Sequence, residues 1–167
     1  MKKKNALSLF LILLFLAIIS QTGCVKSLFP TTISESEPDL FPYALCVPLT
    51  SERESAIVSR VIDGDSIEVV MEGEKYQVRY IGIDAPEYGE GGDDLAESSR
   101  RFNQGLVEGK QVDLFRDFTD RDRYGRLLRY IFVDGLFVNR EMVRQGFAES
   151  KPYPPDLACQ VVISGDF

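Results

Sequence analysis

Three short runs rich in β-branched residues follow one another closely in the middle of this chain of 167 residues. They cover residues 56–62, 66–71 and 76–83, and a short turn with a glycine separates each run from the next. Runs of this length between turn residues are typical of strands in an antiparallel meander. The sequence therefore predicts a small curled sheet as the first half of the fold.

Helices and two further strands are expected after this meander. The apolar spacing downstream of Asp94 predicts a helix that Asp94 caps, with Leu95 on its buried face. Residues 111–115 and 127–133 are predicted to be strands, and Asn139 is expected to cap a second helix. The order β-β-β-α-β-β-α favours an α+β fold that is mainly β, with helices at the end of the sheet.

The N-terminus has the composition of an export signal, which we assign to residues 1–23. Three lysines precede residues 6–19, an almost unbroken apolar run that is too short for a typical membrane-spanning helix. Gly23 and Cys24 resemble a bacterial lipoprotein processing site, at which Cys24 would be lipidated. An ordinary secretory signal and an uncleaved anchor are the alternatives. All three interpretations predict an extracellular or cell-envelope protein, and the first predicts a lipid anchor in a bacterial membrane.

A linker and one domain are expected after this signal. Residues 24–54 are polar and turn-rich, which is typical of a linker. The domain is predicted to span residues 55–155, followed by an atypical tail over residues 156–167. Cys46 and Cys159 flank the domain in an exported chain, where disulfides persist, so they either form a bridge or stay as two unpaired thiols.

Acidic residues dominate the chain once the signal is removed. The remainder has 16 basic residues against 26 acidic ones, a net charge of −10, and no histidine. Such a balance is unfavourable for a non-specific nucleic-acid binder, so a polyanionic substrate would need a bound divalent cation and a few well-placed arginines. Without histidine, acid–base chemistry falls to Asp, Glu, Tyr, Lys or a metal-bound water.

Two acidic segments lie on either side of Arg79, residues 63–66 (DGDS) and residues 84–87 (DAPE). Asp65 begins one predicted strand, and Asp84 ends the next. These two ends are adjacent in an antiparallel pair, so the carboxylates can converge on a hard cation such as Ca²⁺, which prefers oxygen ligands. Either segment alone is more often an ordinary turn, and only their combination with Arg79 favours a metal site that also meets an anion.

Three stretches of this chain resemble the signature motifs of the staphylococcal nuclease (thermonuclease-like) family. They are residues 61–66 (VIDGDS), 78–87 (VRYIGIDAPE) and 122–127 (DRYGRL). Residues 138–146 (VNREMVRQG) resemble the second helix of that family, and the resemblance covers about residues 56–153. It implies an OB-fold five-stranded β-barrel with two or three helices. It also implies a Ca²⁺-dependent endonuclease, a hydrolase that acts on single- and double-stranded DNA and on RNA with little sequence specificity.

The resemblance also implies a role for each acidic site residue. Ca²⁺ is expected to bind the carboxylates of Asp65 and Asp84 and the backbone carbonyl of Ala85. Glu87 is the expected general base that orients or deprotonates the attacking water. In the family this attack frees the 5′ oxygen and leaves a 3′ phosphate.

The expected phosphate and nucleotide contacts come from the basic and aromatic residues. Arg79 and Arg126 are expected to bind the scissile phosphate and to stabilise the charge that builds on it. Arg123 and Tyr124 match a nucleotide-binding surface. Tyr153 is expected either to stack on a base or to have no role beyond the core or surface.

The tail departs from the family, whose members continue beyond residues 151–155 into a long amphipathic helix. Residues 156–167 have neither the length nor the charge pattern of that helix, so we expect it to be missing. Two alternatives to an exported, monomeric nuclease remain open. One is a non-catalytic nucleic-acid-binding domain of the same fold, and the other is a truncated, inactive relic.

Overall fold

The structure is a computed structural model that describes residues 46–87 and 93–166. The predicted signal with Cys24, the linker up to residue 45 and the loop of residues 88–92 lie outside the described residues. No helix in the described ranges is long and apolar enough to cross a membrane.

Five strands close into a mixed β-barrel, and three two-residue strands lie outside the ring. In chain order the strands are β1 (Arg53–Val61), β2 (Ser66–Met71), β3 (Glu74–Tyr80), β4 (Ile83–Asp84), β5 (Gln111–Phe115), β6 (Leu127–Val133), β7 (Leu136–Phe137) and β8 (Glu149–Ser150). The antiparallel order is β3-β2-β1-β5-β6, and a parallel pairing of β3 with β6 closes the ring, with Val78 opposite Leu127. This mainly β architecture with a few helices confirms the OB-fold expectation, and the parallel pairing is the feature that the predicted antiparallel sheet lacked.

Two tight hairpins set the register of the barrel strands. Glu72 and Gly73 connect β2 to β3 with φ angles of 52° and 86°. Asp134 and Gly135 connect β6 to β7 with φ angles of 48° and 78°. Two-residue hairpin loops with positive φ at both positions match the right-handed twist of strands, as type I′ turns do. Each turn therefore fixes which side chains of the joined strands face the core.

The barrel interior is apolar and rich in aromatic rings. Fully buried side chains inside the barrel include Ile67 on β2, Val78 on β3 and Ile131 on β6. Phe132 stacks on Phe137 with ring centroids 4.6 Å apart, which extends the core toward the end of β7. Burial of such side chains is the main favourable term in folding, and it makes the barrel a rigid support for the loops at its rim.

Three helices are described, and they are α1 (Asp93–Val107), α2 (Val138–Arg144) and α3 (Gln160–Ser164). Leu95 was expected on the buried face of α1 but is exposed, whereas Ser99 of the same predicted face is buried and Phe102 and Leu106 pack against the core. Helix α1 begins at Asp93, so Asp94 lies inside its first turn rather than at the cap. The buried face follows the packing of Ser99, whose hydroxyl donates a hydrogen bond to the Phe147 carbonyl at 2.7 Å.

Asn139 does not cap helix α2, contrary to the sequence-based prediction. The helix begins at Val138 with Phe137 as its cap, and Asn139 is fully buried. Its side-chain oxygen accepts a hydrogen bond from the Ile131 N–H at 2.9 Å, and its amide donates to the Ile81 carbonyl at 2.8 Å. The amide thereby ties the segment after β3 to β6, which a short capping motif in sequence does not reveal.

A disulfide and a short helix hold the C-terminal residues against the barrel. Cys46 and Cys159 are joined by a disulfide, and Cys159 is fully buried. The backbone N–H of Cys159 donates to the Tyr130 hydroxyl, which in turn donates to the Asp117 carboxylate at 2.6 Å. Helix α3 follows directly and buries Ile163. This five-residue helix in the tail was not predicted from the sequence.

Candidate active site

The site forms where β2 begins and β3 ends. Ser66 on β2 is paired with Arg79 on β3, and the Tyr80 N–H donates to the Asp65 carbonyl at 2.8 Å. This pairing places Asp65 beside the end of β3, as the strand order in the sequence predicted. Gly64 allows the segment around Ala85 and helix α1 to pack closely against the turn. A Cβ atom at Gly64 would lie 2.6 Å from the Ala85 methyl group and would also meet Ser99.

Asp65 is a buried carboxylate, only 2% exposed. One oxygen accepts the Ala85 N–H at 2.6 Å, and the other accepts the Ser66 hydroxyl at 3.2 Å and contacts the Arg79 guanidinium. A buried charge is tolerated only when it is paired and hydrogen-bonded, and these contacts meet that condition. They also bring the backbone of Ala85 next to Asp65.

Arg79 connects the two carboxylates that the sequence proposed as cation ligands. One nitrogen of its guanidinium contacts Asp65, and another lies 2.7 Å from Asp84 Oδ1. The second nitrogen also donates to the Ile83 carbonyl at 3.3 Å. Asp65 and Asp84 therefore face each other across a single guanidinium group, at the rim of the barrel.

Asp84 receives further positive charge from the segment after β8. Lys151 Nζ lies 2.5 Å from Asp84 Oδ2, and the Tyr153 hydroxyl donates to Oδ1 at 3.4 Å. Burial raises the pKa of Asp84, but the hydrogen bonds and charges of Lys151 and Arg79 outweigh this, so the pKa lies below its ordinary value. The carboxylate stays ionised well into the acidic range, as a metal ligand must.

Asp63 lies in the turn before Asp65, and its pKa is shifted in the opposite direction from that of Asp84. Its carboxylate accepts the Asp65 N–H at 3.0 Å. Burial raises the pKa of Asp63, and the Arg79 charge and hydrogen bonds with Ser66 only partly oppose that effect. Asp63 thus supports the turn that presents Asp65.

Glu87 lies at the end of the acidic turn, with its side chain exposed. Within the described ranges no hydrogen bond or ion pair joins it to Asp65, Asp84 or Arg79. No group of three or more acidic or cysteine side chains in those ranges is close enough to form a metal centre. The two carboxylates nevertheless fit a hard cation, because they meet at the Arg79 guanidinium and both offer oxygen.

Arg126 is positioned by Asp122, a residue that the sequence analysis did not select. Asp122 accepts hydrogen bonds from the backbone N–H groups of Tyr124 and Arg126 at 2.9 and 3.0 Å, and from Arg126 Nε at 2.7 Å. Burial raises the pKa of Asp122, but these bonds to Arg126 and Tyr124 prevail and lower it. An aspartate four residues before the arginine, with Gly125 between them, is the signal that could have revealed this role.

A pocket of 580 Å³ joins Arg126 to the rest of the site. Its walls are Arg79 with the end of β3, the turn of residues 119–126 and the segment 153–156. Asp156 fixes the two outer walls to each other, because its carboxylate accepts the N–H groups of Phe118 and Thr119 at 3.0 and 2.7 Å. The two arginines expected to bind a phosphate thus open onto the same space.

Arg123 and Tyr124 lie on one wall of this pocket. The Arg123 guanidinium carbon is 4.7 Å from the centre of the Tyr124 ring, and its nitrogen donates to the Tyr124 hydroxyl at 2.6 Å. The ring is 69% exposed, and Tyr153 on the opposite wall is 42% exposed. Two accessible aromatic faces next to guanidinium groups are suited to contact a nucleotide.

The model of the staphylococcal nuclease homologue family matches residues 77–159. A thermonuclease of Staphylococcus intermedius is 32% identical over 113 residues, which is 66% of this chain and 67% of that protein. Endonuclease YncB of Bacillus subtilis is 39% identical over 102 residues, 54% of this chain and 45% of that protein. An uncharacterized endonuclease of Escherichia coli O157:H7 is 42% identical over 96 residues, 54% of this chain and 57% of that protein. This chain thus spans about half the length of the last two relatives.

Sequence similarity and architecture agree. The matched residues include Arg79, Asp84, Glu87 and Arg126, and Asp65 lies directly before β2, the strand that pairs with β3. The similarity to the thermonuclease extends over two thirds of each chain, and the closed mixed barrel is the one that the motifs implied. On this basis the chain belongs to the staphylococcal nuclease family.

Proposed function

We propose that this protein is an endonuclease that hydrolyses phosphodiester bonds in DNA and RNA with little sequence preference. We further propose Ca²⁺ as its cofactor and the space outside the cytoplasm as its place of action. One observation carries the proposal: Arg79 and Arg126 line one pocket while Arg79 also contacts Asp65 and Asp84. Such a set can take a phosphodiester and a hard cation side by side. The names of the relatives, a thermonuclease and two endonucleases, support the same reaction.

The two arginines bind the non-bridging oxygens of the scissile phosphate. A planar guanidinium can donate to two phosphate oxygens at once, and Asp122 holds the Arg126 side chain in place before substrate arrives. Negative charge on the phosphoryl oxygens grows in the transition state, so these contacts strengthen as the reaction proceeds. Loss of one such group typically lowers turnover by about a hundredfold or more.

Asp65, Asp84 and the Ala85 carbonyl are the residues that would hold Ca²⁺. When bound, the cation supplies positive charge that stabilises the phosphoryl oxygens and the attacking water. The ammonium group of Lys151 also contacts the Asp84 carboxylate, so Lys151 and the cation would share this ligand.

Glu87 accepts the proton of the attacking water. The water oxygen forms a bond to phosphorus, the bond from phosphorus to the 5′ oxygen breaks, and one water proton passes to the Glu87 carboxylate. The released 5′ oxygen takes up a proton from solvent water. Its exposed position after Pro86 leaves the carboxylate open to water from the solvent.

Little sequence preference is expected, because the charged groups of the site contact phosphate rather than base edges. The exposed rings of Tyr124 and Tyr153 offer flat apolar surfaces on which any base can stack. The same arrangement accounts for action on both DNA and RNA.

The decisive experiment is a cleavage assay on fluorescent single-stranded DNA with the full chain, in Ca²⁺ and in excess chelator. We expect cleavage in Ca²⁺, none in chelator, and a loss of about a hundredfold or more for Glu87→Gln and Arg126→Gln. Cleavage that persists in chelator would refute the metal assignment. A folded protein that binds DNA but does not cleave it in Ca²⁺ would instead support the non-catalytic alternative, and a protein without cooperative unfolding would support the inactive relic.

Export and lipid attachment at Cys24 are tested separately, by expressing the full chain in a bacterium fed with a labelled fatty acid. We expect label on the wild-type protein in the membrane fraction and none on Cys24→Ala. Label on neither protein, with activity in the medium, would favour an ordinary secretory signal, whereas unlabelled protein that stays at its full size in the membrane fraction would favour an uncleaved anchor.

A further inference from the structure

Arg121 is a fourth arginine in the wall of the active-site pocket, and none of the roles above uses it. Its guanidinium donates to the Gly125 carbonyl at 2.9 Å and lies 5.8 Å from the centre of the Tyr76 ring. Its side chain is 46% exposed. These contacts hold one side of the guanidinium in place next to Arg126 and leave the rest open to the pocket.

Arg121 forms a loose ion pair with an acidic neighbour. Asp120 is the nearest acid, at 3.5 Å, which exceeds the usual hydrogen-bond distance. Asp120 also pairs with the buried Arg129 at 2.8 Å, so its charge is shared. Arg129 also pairs with Glu54 at 2.5 Å, so two guanidinium groups share two carboxylates, and the exposed Arg121 has the longest of these contacts.

The two acids that line the pocket are also engaged elsewhere. Asp122 is held by Arg126, and Asp156 accepts two backbone N–H groups. Four arginines line the pocket, while Asp65, Asp84 and Asp120 contact Arg79 and Arg121 from beside it. The guanidinium groups still present planar donors to which phosphate oxygens can bind.

We propose that Arg121, held over Tyr76, is a second phosphate-binding position for a single-stranded polynucleotide. It would contact a phosphate adjacent to the one held by Arg79 and Arg126. This inference rests on the proposed nuclease function, because it assigns a further position on the same substrate. It predicts that Arg121 matters only for substrates with more than one phosphate.

The first test measures the salt dependence of binding to an eight-nucleotide thymidylate strand, in chelator so that the strand stays intact. Each phosphate contact on a single strand contributes about 0.7 to the slope of log K against log salt concentration. We expect Arg121→Gln to lower that slope by about 0.7 and to weaken low-salt binding by about three- to tenfold. Arg121→Lys should keep the slope. Arg101→Gln, on the exposed side of α1 and outside the pocket, is the matched control and should change neither quantity.

The second test separates a phosphate contact from mere support of the turn. Arg121→Gln should leave kcat/KM unchanged for a dinucleotide with a single phosphate, and it should lower kcat/KM about three- to tenfold for the eight-nucleotide strand. A damaged turn would misplace Arg126 and reduce both values, and this outcome would overturn the proposal. Equal salt slopes for Arg121→Gln and Arg101→Gln would overturn it as well. If the wild-type protein cleaves neither substrate, the proposed function fails, while the binding slopes still decide on Arg121.

Discussion

At this site one carboxylate has two requirements that conflict. Asp84 must stay ionised to hold a cation, yet Arg79 and Lys151 already contact both of its oxygens. Positive neighbours keep the carboxylate charged and at the same time compete with any cation for it. The balance between these effects is set by individual residues, so it can be altered one residue at a time.

Lys151→Met is predicted to tighten Ca²⁺ binding. It removes the ammonium group 2.5 Å from Asp84 Oδ2, and methionine keeps an unbranched apolar chain of similar length. Since exposed ion pairs are weak, we expect a modest effect, with the Kd for Ca²⁺ falling by about fivefold at most. Isothermal titration calorimetry measures this directly. Lys110→Met removes another exposed lysine, and an equal effect in that control would show that Lys151 acts only through net charge.

Asp122→Ala is predicted to impair turnover through Arg126. The substitution removes the acceptor of three hydrogen bonds that shape the turn of residues 122–126, so the guanidinium loses its fixed orientation. We expect kcat to fall by about tenfold or more, with a smaller change in KM. Asp122→Asn still accepts the two backbone N–H groups and should restore part of the activity. If Asn is no better than Ala, the backbone bonds do not matter for positioning, and only the charge pair does.

At the scale of elements, the loops of the site depend on a C-terminal segment that is held from several sides. Asp156 anchors the pocket wall, Asp117 accepts the Ala158 N–H, and the Cys46–Cys159 disulfide ties the same segment to residues before β1. Helix α3 has only five residues, too few for a helix to be stable on its own. Its position therefore comes from these attachments and from the burial of Ile163.

Loss of the disulfide is predicted to destabilise the fold strongly. The bridge closes a loop between residues 113 apart in sequence, and such crosslinks typically contribute about 2–5 kcal/mol. We expect Cys46→Ala to lower the free energy of urea unfolding by that amount. A reducing agent should destabilise the wild-type protein similarly and leave Cys46→Ala unaffected, which provides the matched control. Equal unfolding of the wild-type protein with and without reductant would contradict the prediction.

At the scale of the whole molecule, the sequence predicted what depends on local patterns and missed what depends on long-range contacts. The five barrel strands and the approach of Asp65 to Asp84 follow from periodicity and turn residues. The predicted strand of residues 76–83 was too long, because β3 ends at Tyr80 and Asp84 lies on β4, which pairs with β8. The parallel pairing of β3 with β6 could not be predicted from these rules, because it joins residues about 50 positions apart. Asn139 was misassigned for the same reason: its partners lie on β6 and after β3, and a local capping rule considers only its own helix. Lys151 and Asp122 were not predicted from the sequence, because they resemble ordinary surface and turn residues. Their contacts with Asp84 and Arg126 are visible only in the folded loops.

The whole molecule is predicted to lose stability in acid. Four described carboxyl groups have a lowered pKa, and they are Glu68, Asp84, Asp122 and Glu141. A lowered pKa in the folded state adds stability above the unfolded value of about 4, and that stability is lost as the pH falls through the folded pKa.

Asp63 opposes this trend, because its pKa is raised by burial, and its contribution favours the folded state at low pH and disappears as the pH rises. Four groups against one leave a net fall, so we expect the Tm to decrease steadily from about pH 6 to about pH 3, as measured by calorimetry. Glu141→Gln, which removes the hydrogen-bonded partner of Arg144 away from the site, should make this decrease smaller. A Tm that stays constant or rises over that range would show that Asp63 and the repulsion within an acidic chain dominate instead.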